Sequence, residues 1–279
     1  MMSGVKRLLA EDAAFEPVER IAGDERCGLL LLCDHASNAL PERYGDLGLD
    51  GGQLSRHIAY DIGAAWVTRR LAEKLGAPAL LTTYSRLLID PNRGGDDPTL
   101  VMRYSDGAIV PGNARADAAE IERRRTLYWR PYREAIIAQI AAMQTAGKAP
   151  MVVSVHSFTP IWRGHPRPWK FGVLWDMDPR LPQALRKGAQ THLHLRAEEI
   201  GDNEPYDGAL EGDTLDACAT PLGLSNALIE IRQDLIDTSA NAFAFADRLA
   251  EALRTPLADP AIQSPADFGS RAAGNIGRA

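Results

Sequence analysis

Two histidines in this sequence directly follow apolar runs, and both are candidate metal ligands. His35 comes after the segment LLLLCD, and His156 lies in PMVVSVHSF, where β-branched residues stand between prolines. In open α/β proteins, side chains that follow buried strands meet where the loops converge. Two histidines and a carboxylate can hold zinc with one position left for water, which is a hydrolytic ligand set. A hydrogen-bonded structural histidine is the alternative interpretation of each.

Asp61 is the first candidate for the third ligand, because it stands among apolar neighbours in the segment IAYDIGAAW. The periodicity over residues 58–75 predicts a helix, on which His57 and Asp61 share a face. A carboxylate is costly to bury there without a partner. Asp61 could ligate the metal beside His57, accept a hydrogen bond from a histidine ligand, or be an exposed helix residue. Asn38, three residues after His35, is a weaker ligand candidate.

The segment LIEIRQDLI supplies the candidate catalytic residues. Glu230 and Arg232 are two residues apart, so they share one side of a predicted strand, and Ile229 and Ile231 point to the other side. A cross-strand ion pair is the structural interpretation. If that side borders a cleft, Glu230 can take a proton from an attacking water and pass it to the leaving nitrogen.

The elements that must position these residues alternate between strands and helices. This order predicts an α/β fold with helices on both faces of the sheet. The predicted strands lie within residues 28–33, 77–90, 150–160, 170–176 and 226–234, and the helices within 58–75, 115–147, 180–200 and 239–254. We divide the chain into a lead-in (1–26), one domain (27–255) and a tail (256–279), the tail being a candidate mobile segment.

Composition excludes several functional classes. The chain has 279 residues and a net charge of −6, which disfavours a nucleic-acid partner. No apolar stretch approaches the roughly 18–20 residues of a membrane-spanning helix. The three cysteines are too few for a disulfide framework, and the N-terminus lacks a signal peptide's apolar core. We therefore expect a cytoplasmic protein with no membrane partner, and homo-oligomer formation is left open.

Six segments, in order across residues 34–236, resemble the N-formylglutamate amidohydrolase family. They are DHASNALP, RHIAYDIGA, TTYSRLLIDPNRG, SVHSF, GDNEPY and GLSNALIEIRQDLI. The resemblance implies a single zinc-carboxypeptidase-like (phosphorylase/hydrolase-like) domain with a mixed central sheet flanked by helices. It also implies a zinc-dependent hydrolase that cleaves the amide bond of a small-molecule N-acyl amino acid such as N-formylglutamate.

The resemblance also implies roles for individual residues. His35, Asp61 and His156 match the metal ligands, and Glu230 resembles the general base of zinc carboxypeptidases. The pair Asn92-Arg93 resembles the pair that holds a substrate carboxylate in those enzymes, a task that suits the planar fork of arginine. Arg86 and Arg232 are further candidates for that task or for stabilising the oxyanion. Residues 202–208 are predicted to form a loop over the pocket, or a simple turn, and they supply Asn203 and Tyr206.

One departure from the family pattern keeps other functions open. Cys218 stands where the family often has a histidine, which puts the substrate and full activity in question. A metal-binding or ligand-binding protein without catalysis is therefore one alternative. A nucleophilic hydrolase using Ser37, Ser157 or Cys33 is another, although no G-x-S-x-G motif is present.

Overall fold

Apolar segments form the middle of the sheet, because strands covered on both faces must be apolar throughout. The computed structural model describes residues 15–273, and within them there are eleven strands. These are β1 (Val18–Ile21), β2 (Leu29–Cys33), β3 (Ala79–Thr82), β4 (Tyr104–Ser105), β5 (Ala108–Ile109), β6 (Met151–Phe158), β7 (Ile161–Trp162), β8 (His165–Pro166), β9 (Phe171–Leu174), β10 (Ile200–Asp202) and β11 (Asn226–Arg232).

Seven of these strands make one mixed sheet in the order β1-β3-β2-β6-β11-β9-β10. The strands β3, β2, β6 and β11 run parallel, whereas β1 and β9 pair antiparallel with β3 and β11. The remaining strands form two short hairpins, β4-β5 and β7-β8. The parallel strands therefore end at the same edge of the sheet, where their following loops meet.

Helices cover both faces of the sheet, which confirms the predicted fold class. The helices are α1 (Ala64–Leu75), α2 (Pro111–Ala114), α3 (Ala118–Arg124), α4 (Arg130–Thr145), α5 (Arg180–His192), α6 (Thr214–Cys218), α7 (Ser239–Ala258) and α8 (Pro260–Gln263). Short 3-10 turns lie at Glu42–Tyr44, Gln53–Ser55, Ala197–Glu199, Thr220–Leu222 and Gln233–Leu235. Helices α1, α5 and α7 pack on one face, and α4 and α6 pack on the other. Between residues 15 and 273, every helix is too short or too polar to span a lipid bilayer.

The first long helix begins later than the periodicity predicts. It starts at Ala64, after Gly63, whose φ of +83° lies in the left-handed region. A Cβ at Gly63 would collide with the carbonyl oxygen of Ile236, so only glycine fits there. The prediction that places Asp61 on this helix is therefore wrong, and Asp61 lies in the turn before it.

The predicted helix over residues 115–147 is continuous but irregular. A π-helical stretch, Arg125–Trp129, joins α3 to α4, and Pro131 stands in the first turn of α4. Proline lacks the N–H that an α-helix would use there, so the wider turn before it accommodates the missing hydrogen bond.

Other elements differ from the sequence interpretation at their ends. The predicted helix over residues 180–200 ends at His192, and His194 has a left-handed φ of +56°. The strand β10 follows it and was not predicted. The edge strand β1 lies N-terminal to residue 27, and α8 lies beyond residue 255. Ile262 and Ala272 are buried, so part of the segment after residue 255 packs against the domain.

Candidate metal and active site

The ends of two neighbouring strands bring the two candidate histidines together. His35 follows β2, His156 lies in β6, and these strands are parallel and adjacent. The imidazole centroids are 4.8 Å apart, with the ring planes at 87°. The ligand atoms of His35, Asp61 and His156 all lie within 4.8 Å of one another, and all three residues are buried. The structure therefore assembles the three residues as a group that could hold a metal ion.

Asp61 is held at this point by the turn that precedes α1. Its backbone N–H donates to the carbonyl oxygen of His35 at 2.9 Å. The carboxylate oxygen Oδ2 lies 2.8 Å from Nδ1 of His156 and 3.3 Å from Nδ1 of His35. Both imidazoles thus turn the same ring nitrogen, Nδ1, towards one carboxylate oxygen.

Two further carboxylates orient the imidazoles from behind. Nε2 of His35 lies 2.8 Å from Oδ1 of Asp90, and Nε2 of His156 lies 2.8 Å from Oδ2 of Asp34. A histidine that ligates a metal commonly donates its other ring N–H to a carboxylate, which fixes its tautomer. This arrangement leaves the two Nδ1 atoms available for an ion.

The charges of the site favour a cation between the imidazoles. Burial alone would raise the pKa of Asp34, but the hydrogen bond and charge of His156 lower it to about 2. Despite burial, hydrogen bonds to Asp34 and Asp61 hold the pKa of His156 well above its usual value. Two nitrogen donors and a carboxylate, surrounded by further buried carboxylates, therefore fit a divalent ion.

Glu230 lies on the same face of the sheet, beside the three candidate ligands. It is opposite His156 of β6 and Gly172 of β9 in the strand register. Its Oε2 atom is buried and has no hydrogen-bond partner in the described part of the chain. Burial, with the charge of Asp61, raises the pKa of Glu230 to about 7. Glu230 is therefore a carboxyl group that can exchange a proton near neutral pH.

The three predicted arginines lie around this edge of the sheet, each facing a carboxylate. Nη2 of Arg86 lies 2.7 Å from Oδ2 of Asp90, and Nη1 lies 3.7 Å from Oδ1 of Asp61. Arg93 lies 4.0 Å from the carboxylates of Asp90 and Asp97. Arg232 pairs with Asp234 at 2.8 Å and also donates to the carbonyl oxygen of Arg167.

The two predicted asparagines hold loop backbone. Oδ1 of Asn92 accepts from the N–H of Thr214 at 3.0 Å. Oδ1 of Asn203 accepts from the N–H groups of Trp175 and Gly208, which closes the loop that carries Tyr206. A Cβ at Gly172 would collide with the carbonyl oxygen of Glu204, so glycine there lets this loop approach the sheet. Gly172 is opposite Glu230 in the strand register, so this contact locates the loop beside the site. Burial, and then the charge of Glu230, raise the pKa of Tyr206.

The alternative ligands and nucleophiles lie elsewhere or have other partners. Asn38 donates its amide to the carbonyl oxygen of Leu54, and Nε2 of His57 lies 3.4 Å from Oδ2 of Asp106. The hydroxyl of Ser157 donates to a backbone carbonyl, that of Ser37 accepts from the N–H of Ala39, and Cys33 is fully buried. Burial also raises the pKa of the Cys33 thiol well above its usual value, which disfavours a reactive thiolate.

Sequence reasoning missed the roles of Asp34 and Asp90. The position of Asp34 could have been predicted from the two-residue period of a strand. Asp34 follows Leu30 and Leu32 at that spacing, so its side chain points to the same face of the sheet as the site. Asp90 lies in an irregular loop whose path no periodicity reveals.

Asp213, near Asp34, should make the stability of the protein depend on pH. It is the buried N-cap of α6 and accepts from the N–H of Asp216. Burial, assisted by the charge of Asp34, raises the pKa of Asp213 to about 7. The folded state thus keeps a proton that the unfolded state releases near pH 4, so stability falls as pH rises from about 4 to 7.

Asp213→Asn should remove this loss of stability, because asparagine does not titrate. The helix cap should be kept, because asparagine also caps helices. The difference in unfolding free energy between the variant and the parent should increase by about 2–3 kcal/mol, in favour of the variant, as the pH rises from 5 to 8. Urea denaturation at several pH values measures this difference. Asp117→Asn is the matched control, because Asp117 is likewise the N-cap of a helix, α3, but is exposed, and it should keep the parent's pH profile. If the unfolding free energies of Asp213→Asn and the parent changed with pH in parallel, Asp213 would not be the group responsible for the pH dependence.

Cys218, at the end of α6, lies in the core on the site's side of the sheet. It is buried among apolar side chains that include Leu215 and Leu228. Burial raises the pKa of its thiol to about 11, so the group stays protonated at neutral pH.

Comparisons with known proteins agree with this fold. The sequence profile of the N-formylglutamate amidohydrolase family matches residues 27–237. The solved structure of a gene product from Agrobacterium tumefaciens is 35% identical, with a TM-score of 0.80, and the match covers 88% of this chain and 97% of that one. No curated protein sequence matches this chain.

A second solved structure is the N-formylglutamate amidohydrolase from Ralstonia eutropha. It is 20% identical, with a TM-score of 0.63 and coverage of 86% of this chain and 97% of that one, so the likeness shows the fold. The predicted resemblance is confirmed by the family profile, which spans most of the described residues. The chain therefore belongs to the N-formylglutamate amidohydrolase family.

Proposed function

We propose that this chain is a zinc-dependent amidohydrolase that cleaves the amide bond of an N-acyl amino acid, with N-formylglutamate as the first candidate substrate. One observation carries the proposal: both imidazoles turn Nδ1 to Asp61 while carboxylates hold their Nε2 atoms. Imidazole nitrogens with a carboxylate oxygen are a zinc-type donor set. Membership of the family supports hydrolysis of an amide.

His35, Asp61 and His156 would hold the ion. Bound there, zinc would lower the pKa of a water to about 7 and polarise the scissile carbonyl. Asp34 and Asp90 would keep the two imidazoles in the tautomer that presents Nδ1.

Glu230 is the proposed general base and general acid. Its free Oε2 can take a proton from the attacking water while the water oxygen bonds to the acyl carbon. The same carboxyl group then gives that proton to the amide nitrogen as the carbon–nitrogen bond breaks. For an N-formyl substrate, the products are formate and the free amino acid.

The polar residues around the ligands are proposed to bind the rest of the substrate. Arg86 and Arg93 are candidates for contact with its carboxylate, and Arg232 for stabilising the oxyanion. Asn92, Asn203 and Tyr206 belong to the loops that would enclose the substrate.

Formate release from N-formyl-L-glutamate, with N-acetyl-L-glutamate in parallel, tests the proposal. Chelator treatment should abolish turnover, and a stoichiometric amount of zinc should restore it. Full activity of the metal-free protein, abolished by a serine or thiol reagent, would overturn the proposal and favour a nucleophilic hydrolase.

A further inference from the structure

Arg167 is a buried arginine next to the candidate site and lies in none of the segments that resemble the family. It follows the hairpin β7-β8, and it is only 8% exposed. Its guanidinium carbon stands over the rings of Phe158, Trp162 and Tyr206, at 5.6, 5.2 and 5.1 Å from their centroids. Three aromatic faces therefore hold the cation in one orientation.

This aromatic cage adjoins the reacting centre. Phe158 lies two residues after His156 on β6, hence on the same face of the sheet and about 7 Å further along it. Tyr206 comes from the loop beside Glu230. Two backbone hydrogen bonds also fix Arg167: its N–H donates to the carbonyl oxygen of Pro160, and its own carbonyl oxygen accepts from Arg232.

The guanidinium of Arg167 has no anionic partner within residues 15–273. Its Nη1 atom is buried and makes no hydrogen bond to the rest of the described chain. A buried charge without a counter-charge is costly, and aromatic faces offset only part of that cost.

The other arginines of the site differ in this respect, because each already faces a carboxylate. Arg86 pairs with Asp90 at 2.7 Å, Arg232 pairs with Asp234 at 2.8 Å, and Arg93 lies 4.0 Å from Asp97. A substrate carboxylate would share those guanidinium groups with existing partners, whereas no carboxylate of the described residues pairs with Arg167, whose polar neighbour is Tyr206.

We propose that Arg167 is the specificity residue that binds one free carboxylate of the substrate and so selects anionic N-acyl amino acids. The inference rests on the proposed function for the chemical nature of the ligand. A planar guanidinium held by stacking presents its two N–H groups as a fork, which matches the two oxygens of a carboxylate. Lysine at this position would keep the charge and lose the fork.

Calorimetric binding to zinc-loaded protein tests this inference. The three probes are N-formyl-L-glutamate, its α-carboxamide, and N-formyl-L-glutamine, in which the side-chain carboxylate is an amide. We make the measurements in a Glu230→Gln background, so that binding does not depend on turnover. Arg167→Gln should weaken binding of N-formyl-L-glutamate by roughly 30-fold or more. The same substitution should leave the binding of one of the two amides nearly unchanged. That amide lacks the carboxylate that Arg167 contacts and so identifies it.

Two further variants separate recognition from structure. Arg167→Lys should show an intermediate loss with the same discrimination between probes. Arg163→Gln is the matched control, because Arg163 lies on the same hairpin and over the same Trp162 ring but is exposed. It should bind all three probes like the parent.

The outcomes also separate this inference from the proposed function. An equal loss for all three probes, no loss, or a parent that binds none of them would overturn the role of Arg167. Selective loss of binding on Arg167→Gln, together with no formate release by the zinc-loaded parent that keeps Glu230, would instead support Arg167 and contradict the proposed hydrolysis.

Discussion

Replacing Glu230 by glutamine is expected to reduce kcat for N-formylglutamate by about 10²- to 10⁴-fold, the usual contribution of a general acid–base group. Glutamine has the same shape and cannot accept the proton of the attacking water. The side chain does not belong to the three candidate ligands, so bound zinc should stay at the parent's level. Formate release and metal content, measured on the same samples, test both statements.

A glutamate on the neighbouring loop offers the control for this substitution. Glu204 is exposed and lies two residues before Tyr206. Glu204→Gln should keep the parent's kcat. If Glu230→Gln kept a rate within a few-fold of the parent, Glu230 would have no role in proton transfer.

Replacing His156 by glutamine is expected to remove the metal and the activity together. Loss of an outer partner alone costs 10- to 100-fold in metal affinity, so we expect loss of a ligand to cost more than about 100-fold. The variant also leaves Asp34 and Asp61 without their shared imidazole. Zinc content after dialysis, with circular dichroism to show that the chain is folded, measures the effect.

His57→Gln is the matched control, since His57 lies near the site and pairs with Asp106 instead of the three-residue cluster. It should retain zinc at the parent's level. A His156→Gln variant that binds zinc as tightly as the parent would exclude the proposed ligand set.

The convergence of the two histidines could be predicted because it follows from strand order. Apolar runs before His35 and His156 predict buried strands, and adjacent parallel strands end at one edge of a sheet. The side of β11 that carries Glu230 follows from the two-residue period in the same way. Ile229 and Ile231 lie in the opposite core, as predicted.

The parts of the site that sequence could not predict depend on loops. Asp61 reaches the histidines from a turn, because Gly63 starts the helix later than the periodicity indicates. Asp90 and Arg167 lie in irregular connections, where contacts between distant segments determine the path of the chain. The short edge strands β1 and β10 contain polar or glycine residues, so their sequences lack the apolar runs of the central strands.

An anomalous-difference map of zinc-loaded crystals, recorded at the zinc absorption edge, is the most direct test of the central claim. We expect one strong peak about 2.0–2.1 Å from Nδ1 of both His35 and His156 and about 2.0–2.2 Å from a carboxylate oxygen of Asp61. A peak bound by other residues, or by Nε2 of either histidine, would contradict the proposed centre.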